Sequence, residues 1–523
     1  MKGPAPFMRK QACTDLELSH GHARALVISL GGRAKNQEKG NIMNAPVNSR
    51  SIDIPTEFQS CFDKQRAAYL AAPEPSYDQR MADLKALARL LKDNKDELVA
   101  AINADYGNRS EFETLFAEYF VVLETIADAA KNLKKWMKPQ RRHVDFMTYP
   151  LARNRVIPQP LGVVGVIVPW NFPLNLSFCP LAAILAAGNR AMVKMSENSK
   201  ALAQVLMRVS PKYFPIEKLA FFEDGGGRGP GFSSLPFDHL LFTGSGATGR
   251  SVMANAARNL TPVTLELGGK APAIVGPDFP VKTAAERILW VKMFNAGQIC
   301  TNVDYMFLPK GSEDEFVRHC RRLFADRFPD INGQDYTSII DERSFTRLQA
   351  TLEDARTKGA VLVNLAEQQI PDAKRRKFAP HLVLNPTEDM IVMQREIFGP
   401  ILPIKTYADR QEVADYINSH DRPLAIYPFT HNAELRDFYI SRVMSGGVSV
   451  NEALLHVGQH DLPFGGVGAS GMGHYHAREG FNTFSKLRPV FYQGPLSPIQ
   501  MLFQPPYSGR PMRVLQTMIK WKT

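Results

Sequence analysis

One of five scattered cysteines, Cys300, follows Gly297-Gln298 and precedes a β-like run. That placement favours an exposed thiol over a position on a helix face. A free thiol titrates near ~8.5, so nucleophilic chemistry at Cys300 needs a nearby base or dipole. Taken alone, any one of five cysteines is more typical of a buried structural thiol. The sequence has no CxxC pair and no clustered histidines, so we predict no disulfide framework, no metal site and a reducing, cytoplasmic setting.

Residues 244–249 read Gly-Ser-Gly-Ala-Thr-Gly and satisfy GxGxxG between a β-like run, HLLFT, and a helix-like run, RSVMANAAR. In that context the glycines permit a tight turn that presents backbone N–H groups and a helix N-terminus to a phosphate. The dinucleotide fingerprint also needs an acidic residue ~20 positions further on, to bind a ribose hydroxyl. Glu266, 22 residues after Gly244, fits by count and would then be a cofactor ligand. The alternative is a glycine-rich turn that binds nothing.

Two more polar residues lie at the ends of predicted strands. Lys194, in AMVKMSE, could contact a phosphate or a sugar, although a lysine at a strand end is more often solvated at the surface. Asn171 has rigid flanks, Pro169-Trp170 and Phe172-Pro173, that would fix its amide as a donor to an oxyanion. A turn-forming asparagine is the alternative there.

The hydrophobic pattern predicts the scaffold that must position these residues. Ser76 and Gln79 match a capping box before leucines at helical spacing, and a second helix is predicted over 111–137. Short apolar runs then alternate with helical stretches, which predicts parallel sheets with helices on both faces and ligands at the carboxyl ends of the strands. The predicted strands cover 162–168, 190–194, 239–243, 263–267, 271–275, 304–308, 360–363, 401–407 and 447–450.

Composition and charge exclude several classes of protein. The chain is 44% hydrophobic and 22% charged, as in a soluble globular protein. Its longest apolar run, residues 178–188, is far shorter than the ~20 residues that span a bilayer. The net charge of +11 raises a nucleic-acid hypothesis, but residues 1–42 alone hold seven basic and three acidic side chains. The remaining basic residues are spread among acidic ones, so no nucleic-acid partner is predicted.

Seven motifs occur in order and at suitable spacing from about Ser76 to the C-terminus. They are PWNFPL at 169–174, KMSE at 194–197, FTGS with Gly249 following, LELGGK at 265–270, GQIC at 297–300, EIFGP at 396–400 and PFGGVGASGMG at 463–473. Together they resemble the aldehyde dehydrogenase superfamily. The segments SSLPFDHLLFTGS, GMGHYHAREGFNTFSK and FQPPYSGR are similar to the class 3-like branch and, within it, to bacterial coniferyl aldehyde dehydrogenases.

The resemblance implies an α/β fold with a Rossmann-like NAD-binding domain, a second α/β catalytic domain and a bridging β-ribbon. The implied parts are the NAD-binding domain over 51–265, the catalytic domain over 266–446, and a return to the first domain with a bridging strand and C-terminal tail over 447–523. A hairpin at about 144–160 and residues 484–496 would form the ribbon, which implies a homodimer or a dimer of dimers. Residues 1–50 have no family counterpart and are predicted to be a disordered extension, with translation starting at Met43.

The resemblance also implies roles for single residues. Cys300 would be the nucleophile, and Glu266 the general base, which replaces the ribose contact suggested by its spacing from Gly244. The Asn171 amide and the Cys300 backbone N–H would stabilise the oxyanion. The implied cofactor contacts are Trp170, Lys194, Glu197, Gly244, Ser245, Leu267, Glu396 and Phe398. The cofactor would be NAD, because a carboxylate at Glu197 binds a free 2′-hydroxyl and repels a 2′-phosphate; a flexible site could still admit NADP.

The implied reaction oxidises a small-molecule aldehyde to its carboxylic acid through a thiohemiacetal and a thioester on Cys300. Aromatic aldehydes of the coniferyl type are the expected substrates, with medium-chain aliphatic aldehydes as the alternative. A CoA-acylating relative is the rival in chemistry, and Glu266 argues against it because that branch often lacks this carboxylate. A non-catalytic structural protein or a nucleic-acid-binding protein on the same fold are the rivals from other classes.

Overall fold

The structure is a computed structural model that describes residues 52–146 and 148–522. The predicted extension over residues 1–50 and the proposed start at Met43 lie outside the described residues. Strands and helices alternate along the chain, which confirms the predicted α/β class. The strands are β1 Gln140–Arg142, β2 Arg153–Pro160, β3 Val163–Ile167, β4 Arg190–Lys194, β5 Leu219–Phe222, β6 His239–Gly244, β7 Val263–Leu267, β8 Pro272–Val275, β9 Tyr305–Pro309, β10 Val361–Asn364, β11 His381–Leu384, β12 Ile401–Tyr407, β13 Ala425–Phe429, β14 Gly447–Val448, β15 Gly471–Met472 and β16 Ser485–Tyr492.

The α-helices cover and connect these strands. They are α1 Thr56–Ala71, α2 Tyr77–Asp93, α3 Lys95–Tyr106, α4 Glu111–Thr114, α5 Val121–Trp136, α6 Asn175–Ala186, α7 Lys200–Val209, α8 Gly229–Ser233, α9 Gly246–Ala257, α10 Val281–Met293, α11 Glu313–Arg327, α12 Glu342–Thr357, α13 Ile391–Gln394, α14 Arg410–Asn418, α15 Ala433–Arg442, α16 Ala477–Thr483, α17 Pro498–Leu502 and α18 Arg510–Lys522. The predicted capping box opens α2, because the Ser76 hydroxyl accepts from the Gln79 N–H and the Gln79 amide oxygen accepts from the Ser76 N–H. None of the helices in 52–146 and 148–522 is long and apolar enough to cross a membrane.

The first sheet has six strands in the order β15-β7-β6-β3-β4-β5. All pairs are parallel except β15 with β7, so the carboxyl ends of β3, β4, β6 and β7 meet at one edge. β3 and β5 are buried throughout, which is the burial expected for short apolar runs covered by helices on both faces. Asn171, Lys194, Gly244 and Leu267 therefore come to the same edge of this sheet.

The second sheet has seven strands in the order β10-β11-β12-β9-β8-β13-β14. Only β10 runs antiparallel to its neighbour. Four strands of the two sheets were missed, β5 and β15 of the first and β11 and β13 of the second, and β14 is shorter than predicted. The missed strands are two to five residues long, too short for a periodic pattern to stand out.

A separate antiparallel ribbon has the order β1-β2-β16. The hairpin predicted over 144–160 begins earlier than expected, because β1 at Gln140–Arg142 is its first strand and pairs with 154–156 of β2. The prediction failed there because the short, basic and exposed β1 was interpreted as the charged end of the preceding helix. β16 pairs along the whole of β2, from Ser485 opposite Pro160 to Tyr492 opposite Arg153, within the predicted 484–496.

The helix predicted over 111–137 is interrupted by a π-helical turn, Leu115–Phe120, between α4 and α5. The turn directs Glu118 into the core, where its carboxylate forms an ion pair with the buried guanidinium of Arg109. The same carboxylate accepts the Leu174 N–H at 2.7 Å, three residues after Asn171. A charge that is buried without a partner is costly, so the Glu118 carboxylate must keep its contacts with both Arg109 and the Leu174 N–H. These contacts fix the start of α6 relative to α4 and α5.

Asn189 joins three parts of the first sheet region. Its Oδ1 accepts the N–H groups of Leu161 (2.7 Å) and Gly162 (2.9 Å), and its Nδ2 donates to the Phe484 carbonyl (2.7 Å). Asn189→Ala should lower the free energy of unfolding by ~3 kcal/mol, because it leaves several buried polar groups unpaired. Urea unfolding followed by circular dichroism measures the loss. Asn418→Ala, which removes a hydrogen bond at the exposed end of α14, is the control; an equal loss in both variants would contradict the assignment.

Candidate active site

Cys300 lines a cavity of about 150 Å³ whose other lining side chains are mainly apolar. Its side chain is partly buried, whereas Cys61, Cys179 and Cys320 are buried, and all four are free thiols. Burial raises the pKa of the Cys300 thiol to about 12, and the neighbouring carboxyls of Glu396 and Glu266 raise it further in that order. The backbone N–H groups of Cys300 and Thr301 oppose this shift. The thiol is therefore protonated at neutral pH in the described state.

The loop before Cys300 has an unusual backbone conformation. Asn295, Ala296 and Gly297 follow one another with φ of 52°, 48° and 73°. Left-handed conformations cost an alanine roughly 1–2 kcal/mol, so surrounding contacts must impose them. One such contact is the Asn295 N–H, which donates to the buried Glu113 carboxylate at 2.9 Å. Gly297 is also required for space, because a Cβ there would lie 2.5 Å from the Gly399 carbonyl oxygen.

Asn171 follows β3 and is 3% exposed. Its side-chain Nδ2 donates to the Gln298 carbonyl at 3.2 Å, so the amide lies next to the cysteine loop. Its own carbonyl accepts from the Tyr106 hydroxyl (3.0 Å) and from the Asn295 amide (3.2 Å). The structure thus brings Asn171 and the Cys300 loop together, as an oxyanion donor requires.

Glu266 lies in β7 and is 2% exposed. Neither carboxylate oxygen has a hydrogen-bond partner among the described residues. Burial alone raises the pKa of Glu266 well above its ordinary value. A buried, unpaired carboxyl that is coupled to a thiol is typical of a functional group rather than a structural one. The Glu266 carboxyl thus lies near enough to Cys300 to raise the pKa of its thiol.

Glu396 approaches the same site from the loop after α13. Burial and Asp304 raise its pKa to about 8, against the Gly269 N–H and Lys270, which lower it. Its Oε1 has no hydrogen-bond partner among the described residues. Its Oε2 lies so close to Gly268 that a Cβ there would be 2.0 Å away. The LELGGK and EIFGP motifs therefore contact each other through a glycine backbone and a carboxyl.

An ion pair that sequence reasoning missed holds this loop. Lys270 Nζ lies 2.5 Å from Asp304 Oδ2 and also donates to the carbonyls of Val392 (2.9 Å) and Arg395 (3.1 Å). Asp304 Oδ1 accepts the Ile397 N–H at 2.9 Å. The sequence contains the lysine that closes LELGGK and the aspartate four residues after Cys300, but nothing in it indicates that these two residues form a pair.

The remaining predicted cofactor residues fall into three groups. Lys194, at the end of β4, is buried and forms an ion pair with Asp224, a partner that sequence reasoning missed because it follows the unpredicted β5. Glu197, in the turn after β4, is exposed. Both lie at the carboxyl edge of the first sheet, where a parallel sheet binds ligands.

Gly244 and Ser245 form the turn from β6 into α9, as predicted. The Ser245 hydroxyl caps α9 by accepting the Thr248 N–H at 3.3 Å. Leu267 is buried and packs against Gly249 of α9, where a Cβ would lie 2.7 Å from the leucine side chain. The side chain of Leu267 thus positions α9 against the sheet.

Trp170 and Phe398 come together at the junction of the two sheets. Their rings are 5.5 Å apart in an edge-to-face arrangement. Phe398 has a φ of 50°, and Arg347 donates to the carbonyls of Ile397 (2.7 Å) and Phe398 (3.3 Å). A strained backbone held by a partly buried guanidinium is typical of a site whose side chain must have a fixed position.

Tyr475 is a further residue of the site that the motifs did not single out. It is 1% exposed, lines the cavity, and burial and the Glu266 carboxyl raise its pKa well above its ordinary value. Polar atoms without partners also lie at the carboxyl edge of the first sheet: Thr243 Oγ1 next to Gly244, and Ser199 Oγ after the Lys194 strand. These atoms, with Glu396 Oε1, fit hydroxyl-rich groups such as the riboses of a dinucleotide. In 52–146 and 148–522 no cluster of three or more metal-ligating side chains occurs.

Comparisons with known proteins agree with this geometry. The model of the aldehyde dehydrogenase family matches residues 53–490. A protein named "Probable coniferyl aldehyde dehydrogenase" from Pseudomonas aeruginosa is 48% identical over 86% of this chain and 94% of its own length. A coniferyl aldehyde dehydrogenase from a Pseudomonas species is 43% identical over 88% of this chain and 95% of its own length. The substrate-bound structure of Staphylococcus aureus AldH superposes with a TM-score of 0.82 at 31% identity, over 88% of this chain and 99% of that one. The chain therefore belongs to the aldehyde dehydrogenase family and is an oxidoreductase that acts on aldehydes, as its motifs predict.

Proposed function

We propose that the chain oxidises an aromatic aldehyde of the coniferyl type to the carboxylic acid, with NAD as the hydride acceptor. The observation that carries the mechanism is the convergence of Cys300, Glu266 and Asn171 from three separate segments. The Glu266 carboxyl raises the pKa of the Cys300 thiol, and the Asn171 amide donates to the Gln298 carbonyl two residues before it. The named relatives, which are coniferyl aldehyde dehydrogenases, support the substrate class.

The chemistry of the site proceeds from this geometry. The Cys300 sulfur, once deprotonated, attacks the aldehyde carbon and places negative charge on the carbonyl oxygen. The Asn171 amide and the Cys300 N–H stabilise that charge, and one such donor is worth ~3–4 kcal/mol. Loss of hydride from the tetrahedral carbon leaves a thioester. Glu266 then takes a proton from water, which attacks the thioester and releases the carboxylic acid and the thiol.

The residues at the carboxyl edge of the first sheet fit NAD. Lys194 and Glu197 would bind the adenosine ribose, Gly244 and Ser245 would lie near the phosphates, and Glu396 would bind the nicotinamide ribose. Trp170, Leu267 and Phe398 would line the cofactor cleft. NAD held in this cleft would supply the hydride acceptor, and its positive charge would favour the anionic forms of Cys300 and Glu266. The exposed Glu197 carboxylate favours NAD over NADP, because it would repel a 2′-phosphate.

The ribbon supports a homodimer or a dimer of dimers. β16 lies at an edge of its three-stranded sheet, pairs only with β2 among the described strands, and is mostly exposed. A long exposed edge strand is a template for pairing with another chain. The buried free thiols Cys61, Cys179 and Cys320 support a reducing, cytoplasmic compartment.

The alternatives have less support. Medium-chain aliphatic aldehydes would also enter an apolar cavity, but stacked aromatic walls favour a flat ring. A CoA-acylating reaction would not need the unpaired Glu266. A purely structural or nucleic-acid-binding role would leave the buried, unpaired carboxyl of Glu266 beside a thiol without explanation.

Cys300→Ala should lower aldehyde-dependent NADH formation by ~10⁴-fold or more, because no covalent intermediate forms. The measurement is NADH absorbance with coniferyl aldehyde, benzaldehyde and a medium-chain aldehyde, each with NAD and with NADP. The wild type should give its highest kcat/KM with coniferyl aldehyde and NAD. Cys320→Ala, at a buried cysteine of α11, should keep its turnover. Substantial activity in Cys300→Ala would refute the nucleophile.

Glu266→Gln should allow the first hydride transfer but slow thioester hydrolysis by ~10²–10⁴-fold, the usual contribution of a general base. Stopped-flow absorbance should show a burst of about one NADH per active site, then slow turnover. The amide carries no charge to bury, so the variant should unfold at no lower temperature than the wild type. Unchanged steady-state turnover would show that Glu266 is not the base.

Glu396→Gln should make Cys300 react at lower pH. Each carboxyl that becomes charged as pH rises disfavours the thiolate, so removing one lowers the thiol pKa. The shift should be larger for Glu396→Gln than for Glu266→Gln, because Glu396 is the stronger of the two influences. Iodoacetamide alkylation of the cofactor-free protein, followed by mass spectrometry of the Cys300 peptide between pH 6 and 10, measures it. A Glu396→Gln profile that coincides with the wild type would contradict the proximity.

A further inference from the structure

The cavity that begins at Cys300 has flat, apolar walls for most of its length. Phe172 and Phe294 stack at 6.5 Å with 13° between their planes, and Trp290 contacts Phe294 at 5.5 Å. Phe116 contacts Phe294 edge to face at 6.4 Å. These rings lie near the cysteine and form a slot that suits a planar, conjugated substrate.

Helix α5 runs along the same cavity. Val121, Thr125, Asp128 and Ala129 line it, at the spacing of one helical face. Since a helix rises ~1.5 Å per residue, the cavity extends about 10 Å from Val121 to Asp128. Phe116, which marks the end near Phe294, precedes α5. Asp128 therefore lies roughly three helical turns from Phe116, and Trp136, at the end of α5, extends the aromatic lining beyond it.

His460 lines the cavity from a different segment, in the loop before PFGG. Its Nε2 lies 3.4 Å from the Glu124 carboxylate of α5, one helical turn before Asp128. The two side chains are 32% and 47% exposed, so solvent reaches this polar pair. His460 itself lies among mainly apolar lining residues that also include Phe464 and Tyr475.

The other polar side chains along α5 and α6 are already used. The Thr125 hydroxyl donates to the Val121 carbonyl at 2.9 Å, and the Asn175 amide donates to the Ala117 carbonyl at 2.7 Å. By contrast, the Asp128 carboxylate accepts a hydrogen bond from the described residues through Oδ1 alone, and the donor is the Asn132 amide. Its Oδ2 and the His460 Nδ1 keep their capacity for another hydrogen bond.

We infer that Asp128 and His460 recognise a hydroxyl group at the end of the substrate opposite the aldehyde. The inference rests on the proposed reaction at Cys300 and narrows its substrates to hydroxylated aryl aldehydes. The ring lies between the aromatic walls, and the phenolic O–H donates to the Asp128 carboxylate. The phenolic oxygen accepts from His460 Nδ1–H in the imidazolium form, because the other ring N–H, on Nε2, faces the Glu124 carboxylate. With a substrate that lacks the hydroxyl, Asp128 and His460 hydrogen-bond to water instead, and they add no free energy of binding.

The test compares 4-hydroxycinnamaldehyde with cinnamaldehyde, which differ only by that hydroxyl. The ratio of their kcat/KM values cancels effects on the chemistry at Cys300 and on the fraction of folded enzyme. The wild type should favour the hydroxylated aldehyde. Asp128→Ala and His460→Ala should each lower the ratio ~10-fold, the worth of a hydrogen bond to a charged or polar partner, with cinnamaldehyde little affected. His460→Gln, which keeps an N–H donor, should retain more of the preference than His460→Ala.

Asp326→Ala, at an exposed position of α11 in the other part of the chain, is the matched control and should leave the ratio unchanged. A ratio that stays within about twofold of the wild type in Asp128→Ala and His460→Ala would overturn the inference while the reaction at Cys300 stands. A wild type without preference for the hydroxylated aldehyde would overturn it as well. A wild type that oxidises neither aldehyde would overturn both this inference and the proposed substrate class.

Discussion

The hydrogen-bond network around the backbone carbonyl of Asn171 is the constraint on which the site depends. That carbonyl accepts from the Tyr106 hydroxyl of α3 and from the Asn295 amide of the cysteine loop. The Asn171 side chain donates back to the Gln298 carbonyl, two residues before Cys300. The network therefore sets the position of the Asn171 amide relative to the Cys300 loop. All its members are buried, so a broken bond cannot be replaced by water without a cost of ~1–3 kcal/mol.

Burial also explains why the site is built from groups that stay neutral until they are needed. The thiol and the carboxyls of Glu266 and Glu396 all have raised pKa values, mainly because low-dielectric surroundings disfavour their charged forms. Because these raised pKa values favour the neutral forms of all three groups, the site avoids three uncompensated negative charges close together. The same burial makes each group a stronger nucleophile or base once its proton leaves.

Local patterns predicted local features well. The strands at 190–194, 263–267 and 401–407 have the predicted bounds, and the capping box at Ser76 is present. Contacts between distant segments were beyond such patterns. Spacing from Gly244 suggested a ribose contact for Glu266. Counting residues could not show that the Glu266 carboxyl lies near enough to Cys300 to raise the pKa of its thiol. The partners of Lys194 and Lys270 were missed for the same reason, since a charge pair across two elements leaves no periodic signal. The π-helical turn at 115–120 was missed because a helix with one extra residue in a turn keeps nearly the same hydrophobic pattern.

The motifs restrict one another's residue types, because their backbones and side chains are in close contact. Gly268 of LELGGK has no room for a side chain because the Glu396 carboxyl of EIFGP occupies that volume. Gly297 of GQIC is restricted in the same way by the Gly399 carbonyl, also from EIFGP. A larger residue at either glycine would push the Glu396 loop away from Cys300 and separate the carboxyl from the thiol whose pKa it raises. Segments about one hundred residues apart thus determine one another's residue types through close backbone contact, which is why the motifs identify the site when read together and not singly.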